Sequence, residues 1–109
     1  MPRPLHEKST VDQIRARFDA VVESYSRLDS GQLTAMDAAV VLDVVARSAA
    51  AHVQPNGKIL DIGCGAGNFT LRVLQQAAPL DCVLVDLSQP MLDRAKERVT
   101  AATSGDVET

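Results

Sequence analysis

The chain has 109 residues, which bounds it to a single domain at most. A net charge of −3, with two Phe, one Tyr and no Trp, counts against nucleic acid as a partner, since neither a basic surface nor stacking platforms can be built. Two cysteines without a close pair exclude a disulfide framework or a Cys-x-x-Cys metal centre, and no metal is expected.

With 46% hydrophobic residues the chain can collapse around a core, aliphatic and alanine-rich for want of aromatics. No apolar run approaches the ~20 residues of a membrane span. The first residues lack the apolar stretch of a secretory signal. No membrane association and a cytoplasmic location are therefore expected.

Met1 to Lys8, with two prolines, reads as a loose leader. Thr10 is a helix N-cap with Gln13 as its capping-box partner. Val11, Ile14, Phe18, Val22 and Tyr25 then share one helical face. Leu28 to Gly31 is a turn. A second helix is predicted from about Gln32 to His52, with Leu33, Met36, Val40, Val44 and Val45 along one side and alanines that permit close approach to a neighbour. His52 suits the negative end of that helix or solvent better than a metal. Pro55-Asn56-Gly57 is a strong turn signal.

The stretch that follows organises the chain. Ile59-Leu60-Asp61-Ile62 is a short apolar strand that runs into Gly63-Cys64-Gly65-Ala66-Gly67, and an amphipathic helix follows from Phe69 to Ala77. A strand turning sharply into a helix needs backbone angles that side chains resist, and glycine supplies them. Without Cβ atoms, Gly63, Gly65 and Gly67 also let a ligand lie against the main chain. Cys64 reads as a buried thiol within the motif. Asp81 to Asp86 forms a second strand, apolar without alternation, which predicts a parallel strand covered on both faces. Asp86 ends it about twenty residues after the last glycine, the distance of a ribose-binding acid. The pyrophosphate-binding motif is spaced G-x-G-x-x-G. Here the third glycine comes one residue early, Asn68 stands at the final position, and Asp61 precedes the turn. A carboxylate beside a phosphate costs Coulomb energy, so the spacing points away from dinucleotides. Ser88 then N-caps a last helix, with Pro90 in its first turn and Met91, Leu92, Ala95 and Val99 toward the sheet. After Thr100 the chain reads as a polar tail.

Asp61-Ile62-Gly63-Cys64-Gly65-Ala66-Gly67 resembles the D/E-x-G-x-G-x-G first motif of class I methyltransferases, which use S-adenosylmethionine. Val85 to Ala95 resembles their second motif in its small-molecule form, D-x-S-x-x-M-L-x-x-A. Phe18 to Tyr25 is similar to the F-D-x-x-A-x-x-Y segment upstream of the fold, with Val22 where Ala is usual. The resemblance covers about half the chain. It implies an α/β fold: part of a doubly wound, Rossmann-like methyltransferase domain, with two parallel strands recognisable and two helices before them. The expected division is an N-terminal helical cap at 1–55, the cofactor-binding half at 56–102, and a polar tail or linker to further strands at 103–109. The resemblance also implies a chain that is part of a longer protein and without turnover by itself.

By the same resemblance, Gly63 and Gly65 would hold the methionine end of S-adenosylmethionine (product, S-adenosylhomocysteine), with Asp61 organising its ammonium and Cys64 and Gly67 as further cofactor-binding residues of the turn. Asp86 would bind the ribose hydroxyls. Leu87 would pack on the adenine, with Ser88 and Met91 bordering it. The first helix would lie across the site as a lid and bring Tyr25 to the ligand. The acceptor would be a small molecule, and no catalytic base is identified. Two alternatives are a non-catalytic binding half-domain and a fragment of an NAD-dependent oxidoreductase. Since Ile59 to Ile62 and Cys82 to Val85 would each leave an apolar edge unpaired, a homodimer or higher assembly is expected.

Overall fold

The computed structural model describes residues 8–22 and 38–109. Among these, the elements run α1 (Val11–Ala20), α2 (Ala38–His52), β1 (Lys58–Ile62), α3 (Asn68–Ala77), β2 (Asp81–Val85), α4 (Gln89–Ala102) and β3 (Val107–Glu108). The turn expected at Leu28 to Gly31, the beginning of the second helix, and Tyr25 lie outside the described residues. No described helix is long and apolar enough to cross a membrane.

Local chemistry sets most boundaries. Thr10 caps α1 reciprocally: its hydroxyl accepts from Gln13 N at 3.2 Å, and the Gln13 side chain accepts from Thr10 N at 2.9 Å. At the end of α2, His52 Nδ1 lies 2.6 Å from the carbonyl of Ser48. Asn56 takes the left-handed conformation (φ 57°) and Gly57 N donates to Gln54 O at 2.8 Å, which closes the turn into β1. Ser88 caps α4, its hydroxyl accepting from Met91 N at 3.3 Å, with Pro90 in the first turn.

The sheet has the order β1-β2-β3 and both pairings are parallel. Helices α3 and α4 are the crossovers that parallel strands require. In register, Ile59 lies beside Cys82 and Asp61 beside Leu84, so these four share one face. Against that face pack Ala46 of α2, Val73 and Leu74 of α3, and Ala95 and Val99 of α4, all buried. The expectation of strands covered on both faces fails for the described residues. Leu60, Ile62 and Val85, which point the other way, are 60%, 74% and 44% exposed. Among the described residues no helix covers that side.

The inner face of α2 is Leu42, Ala46 and Ala49, continued by Val53 just past the helix end, while Val40, Val44 and Val45 are exposed. Both sets have helical spacing. The alanine set lies inside because small side chains let α2 approach α3 closely, with Ala46 fully buried. The polar tail, in turn, ends in a strand. Thr103 turns the chain back: its hydroxyl donates to Leu80 O at 2.9 Å and accepts from Leu80 N at 3.1 Å. Asp106 N donates to Asp81 Oδ1 at 2.8 Å, and Cys82 N to Asp106 O at 2.8 Å. Gly105 crosses so close to β2 that a Cβ there would lie 2.3 Å from the Leu80 carbonyl oxygen. The outer edge of β2 is therefore paired at Cys82 and Val83 rather than open. The outer edge of β1 has no partner among the described residues.

Candidate functional site

The site lies where β1 and β2 end side by side. Gly63 N and Cys64 N both donate to Val85 O, at 2.7 and 3.0 Å, which folds the turn after β1 over the end of β2. The three glycines have φ of 72°, 54° and 89°, the left-handed region that side chains resist. Their surroundings differ. A Cβ at Gly63 or Gly65 would meet nothing within 4 Å, whereas one at Gly67 would meet Val99 at 3.3 Å and Ala95 at 3.4 Å. Gly67 thus lets α4 pack against the turn, and Gly63 and Gly65 leave bare backbone facing open space.

Asp86 closes the arrangement from β2. Its Oδ2 accepts from Gly65 N at 2.8 Å and its Oδ1 from Ser88 N at 2.9 Å. On the far side, Arg98 Nη1 donates to Ala66 O at 2.7 Å and to Asn68 Oδ1 at 2.9 Å, bracing the turn against α4. Burial lowers the basicity of this guanidinium, and the neighbouring Arg94 lowers it further. The space enclosed is a cavity of about 330 Å³.

Of the residues expected at the site, Gly63, Cys64, Gly65, Asp86, Leu87 and Met91 line this cavity. Asp61, Gly67 and Ser88 do not. Asp61 sits behind the turn and accepts from Thr70 Oγ1 at 2.7 Å. Ser88 is fully buried and its hydroxyl donates to the carboxylate of Asp19. Phe18, Ala66, Asn68 and Phe69 line the cavity as well and were not among the expected ligand contacts. For Phe18 a signal existed in the segment leading to Tyr25. Asn68 and Phe69 were read only as a departure from spacing and as a helix residue.

Two acidic groups at the site are harder to ionise than usual. Burial raises the Asp61 carboxyl above its ordinary range; the Thr70 hydrogen bond partly offsets this, and Asp86 adds repulsion. Burial, with Asp61 and Asp86 nearby, pushes the Cys64 thiol up to about 12. At pH 8 roughly one thiol in ten thousand is then ionised, too few for a nucleophile. For Asp61 the folded form holds its proton more tightly than the unfolded form. Stability therefore falls as pH rises from the ordinary carboxyl range through the raised value. Asp61→Asn, which keeps an acceptor for Thr70, is accordingly expected to raise the melting temperature at pH 7 and to lose the advantage toward pH 3. A melt series across pH checks this; an unchanged or lower Tm at pH 7 contradicts the strain.

Residues 59–109 match a family model described as a methyltransferase domain. Demethylmenaquinone methyltransferase of Symbiobacterium thermophilum is 32% identical over 97 residues, covering 88% of this chain and 38% of that protein. Carboxy-S-adenosyl-L-methionine synthase of Hydrogenovibrio crunogenus is 37% identical over 60 residues, 54% of this chain and 24% of that protein. A biotin biosynthesis bifunctional protein of Bordetella avium is 32% identical over 83 residues, 76% of this chain and 17% of that protein. The chain thus spans less than two fifths of these curated relatives. The solved phosphoethanolamine N-methyltransferase 1 of Haemonchus contortus aligns with 92% of this chain and 22% of its own, at TM-score 0.49 and 22% identity, a likeness too slight to bear on the assignment. The methyltransferase-domain match begins in β1 and runs through the glycine turn, Asp86 and α4: residues 59–109 are those of a class I methyltransferase domain, whose methyl donor is S-adenosylmethionine.

Proposed function

We propose that this chain is the cofactor-binding part of a methyltransferase that acts on a small-molecule acceptor. The observation that carries the reading is the bare backbone of Gly63 and Gly65, open to a cavity that Asp86 borders from the neighbouring strand. S-adenosylmethionine, when bound, supplies an activated sulfonium methyl for in-line transfer to a nucleophile. The residues present suit it. Gly63 and Gly65 admit the methionine end to within contact of the main chain. An ammonium near Asp61 would relieve a carboxylate that burial and Asp86 disfavour. Each Asp86 oxygen accepts one backbone N–H and keeps a lone pair for a ribose hydroxyl. Phe18, Phe69, Leu87 and Met91 give the cavity apolar walls suited to a purine. Tyr25 is retained as a further contact by family resemblance. By fixing the donor, these groups reduce the reaction to alignment of the acceptor. The names of relatives such as demethylmenaquinone methyltransferase support a small acceptor. We further propose a cytoplasmic setting, on two buried free thiols, and self-association through the open edge of β1.

Titration calorimetry tests the central reading. S-adenosylmethionine or S-adenosylhomocysteine is expected to bind in preference to NAD. Asp86→Ala removes charge-assisted hydrogen bonds worth roughly 1.5–3 kcal/mol, so affinity should fall about tenfold or more. Circular dichroism on the variant separates this from unfolding, because Gly65 and Ser88 also lose an acceptor. Tighter binding of NAD, or wild-type affinity in a folded Asp86→Ala, would overturn the assignment.

A further inference from the structure

Helix α1 buries none of its residues, and an element with little buried surface opens locally at small cost. Two polar contacts nevertheless hold it at the site, and they fall on adjacent residues. Arg15 Nε donates to the carbonyl of Leu87 at 3.2 Å, and the buried Ser88 hydroxyl donates to the Asp19 carboxylate. The anchor is firm. Ser88 is fully buried, caps α4 through Met91 N, and gives its own N–H to Asp86. Arg15, Phe18 and Asp19 occupy one side of α1 at helical spacing, and Phe18, though 41% exposed, lines the cavity. A helix with no buried residue is thus fastened by a charged hydrogen bond to the residue that also donates to Asp86.

We propose that Asp19 is a positioning residue: through Ser88 it keeps Phe18 over the cavity and thereby sets how fast ligand leaves. The proposal rests on the reading that the cavity takes S-adenosylmethionine and its product. Asp19 touches no reacting atom; it acts through the placement of α1. Ser88 couples the two ends, since the same residue faces Asp19 with its hydroxyl and Asp86 with its amide.

Stopped-flow displacement of S-adenosylhomocysteine from the full chain tests it. Asp19→Ala is expected to raise the off-rate about tenfold, the loss of one charged hydrogen bond. Asp19→Asn keeps an acceptor for Ser88 and should restore most of the residence time. Phe18→Ala should raise the off-rate as well, and the double variant should add nothing to the larger single effect. An unchanged off-rate in Asp19→Ala, or additive effects, overturns the proposal. Hydrogen exchange without ligand is the second arm: α1 amides should exchange faster in Asp19→Ala than in wild type, and equal exchange overturns the latch. If wild type binds no ligand, the functional reading fails while the exchange arm still decides the latch. Should Asp19→Ala not fold, Arg15→Ala, which removes the neighbouring contact, takes its place with the same expected direction.

Discussion

Gly65→Val is expected to weaken S-adenosylmethionine binding about a hundredfold while the chain stays folded. Gly65 has φ of 54°, where an L-residue is strained by about 1–2 kcal/mol. A β-branched side chain feels that strain in full, and its Cβ would enter the open space beside the backbone, with nothing of the protein within 4 Å. Only a ligand would collide with it. Overpacking of this kind costs about 1–3 kcal/mol, and with any shift of the Gly65 amide away from Asp86 the affinity should fall roughly a hundredfold. Calorimetry reads the loss, and a thermal melt reads the fold. Gly67→Val is the contrast: its Cβ meets Val99 and Ala95, so it should lower the melting temperature. A folded Gly65→Val that binds like wild type would mean that the cavity beside this turn is not the site.

Leu84→Ala should remove a large part of the stability of the domain. Leu84 is fully buried at the centre of the core face, among Ala46, Val73, Leu74, Ala95 and Val99. Leucine-to-alanine changes in such positions cost about 2–5 kcal/mol. Domains have only ~5–15 kcal/mol in total, and here one sheet face is left exposed at Leu60, Ile62 and Val85. Urea denaturation should show the midpoint falling steeply with little change in slope. A loss below about 1 kcal/mol would show that the core can collapse around the gap, or that β2 is less central than it stands here.

The sequence by itself determined what nearest neighbours decide. The reciprocal cap of Thr10 and Gln13, the turn at Asn56-Gly57, the Ser88 cap and the inner face of α4 all depend on residues within one helical turn, and each stands as read. The strand, glycine turn and helix from Lys58 to Ala77 were legible for the same reason, since the φ demanded of the glycines is local. Only the tertiary structure decided choices between equally periodic alternatives or between distant partners. Periodicity allowed α2 either a valine or an alanine face inside, and close packing on α3 selected the alanine face, with Ala46 and Ala49 in the core and Leu42 buried beside them. The strand at Val107 and Glu108 is two residues long and polar in setting; Thr103, held to Leu80 across twenty-three residues, makes it. That Asp61 stands beside Leu84 and accepts from Thr70, in surroundings whose burial raises its carboxyl, follows from the strand register. The contact of Asp19 with Ser88 spans sixty-nine residues. No pattern in a single sequence encodes such a pair, because the packing that joins them exists only after the sheet has formed.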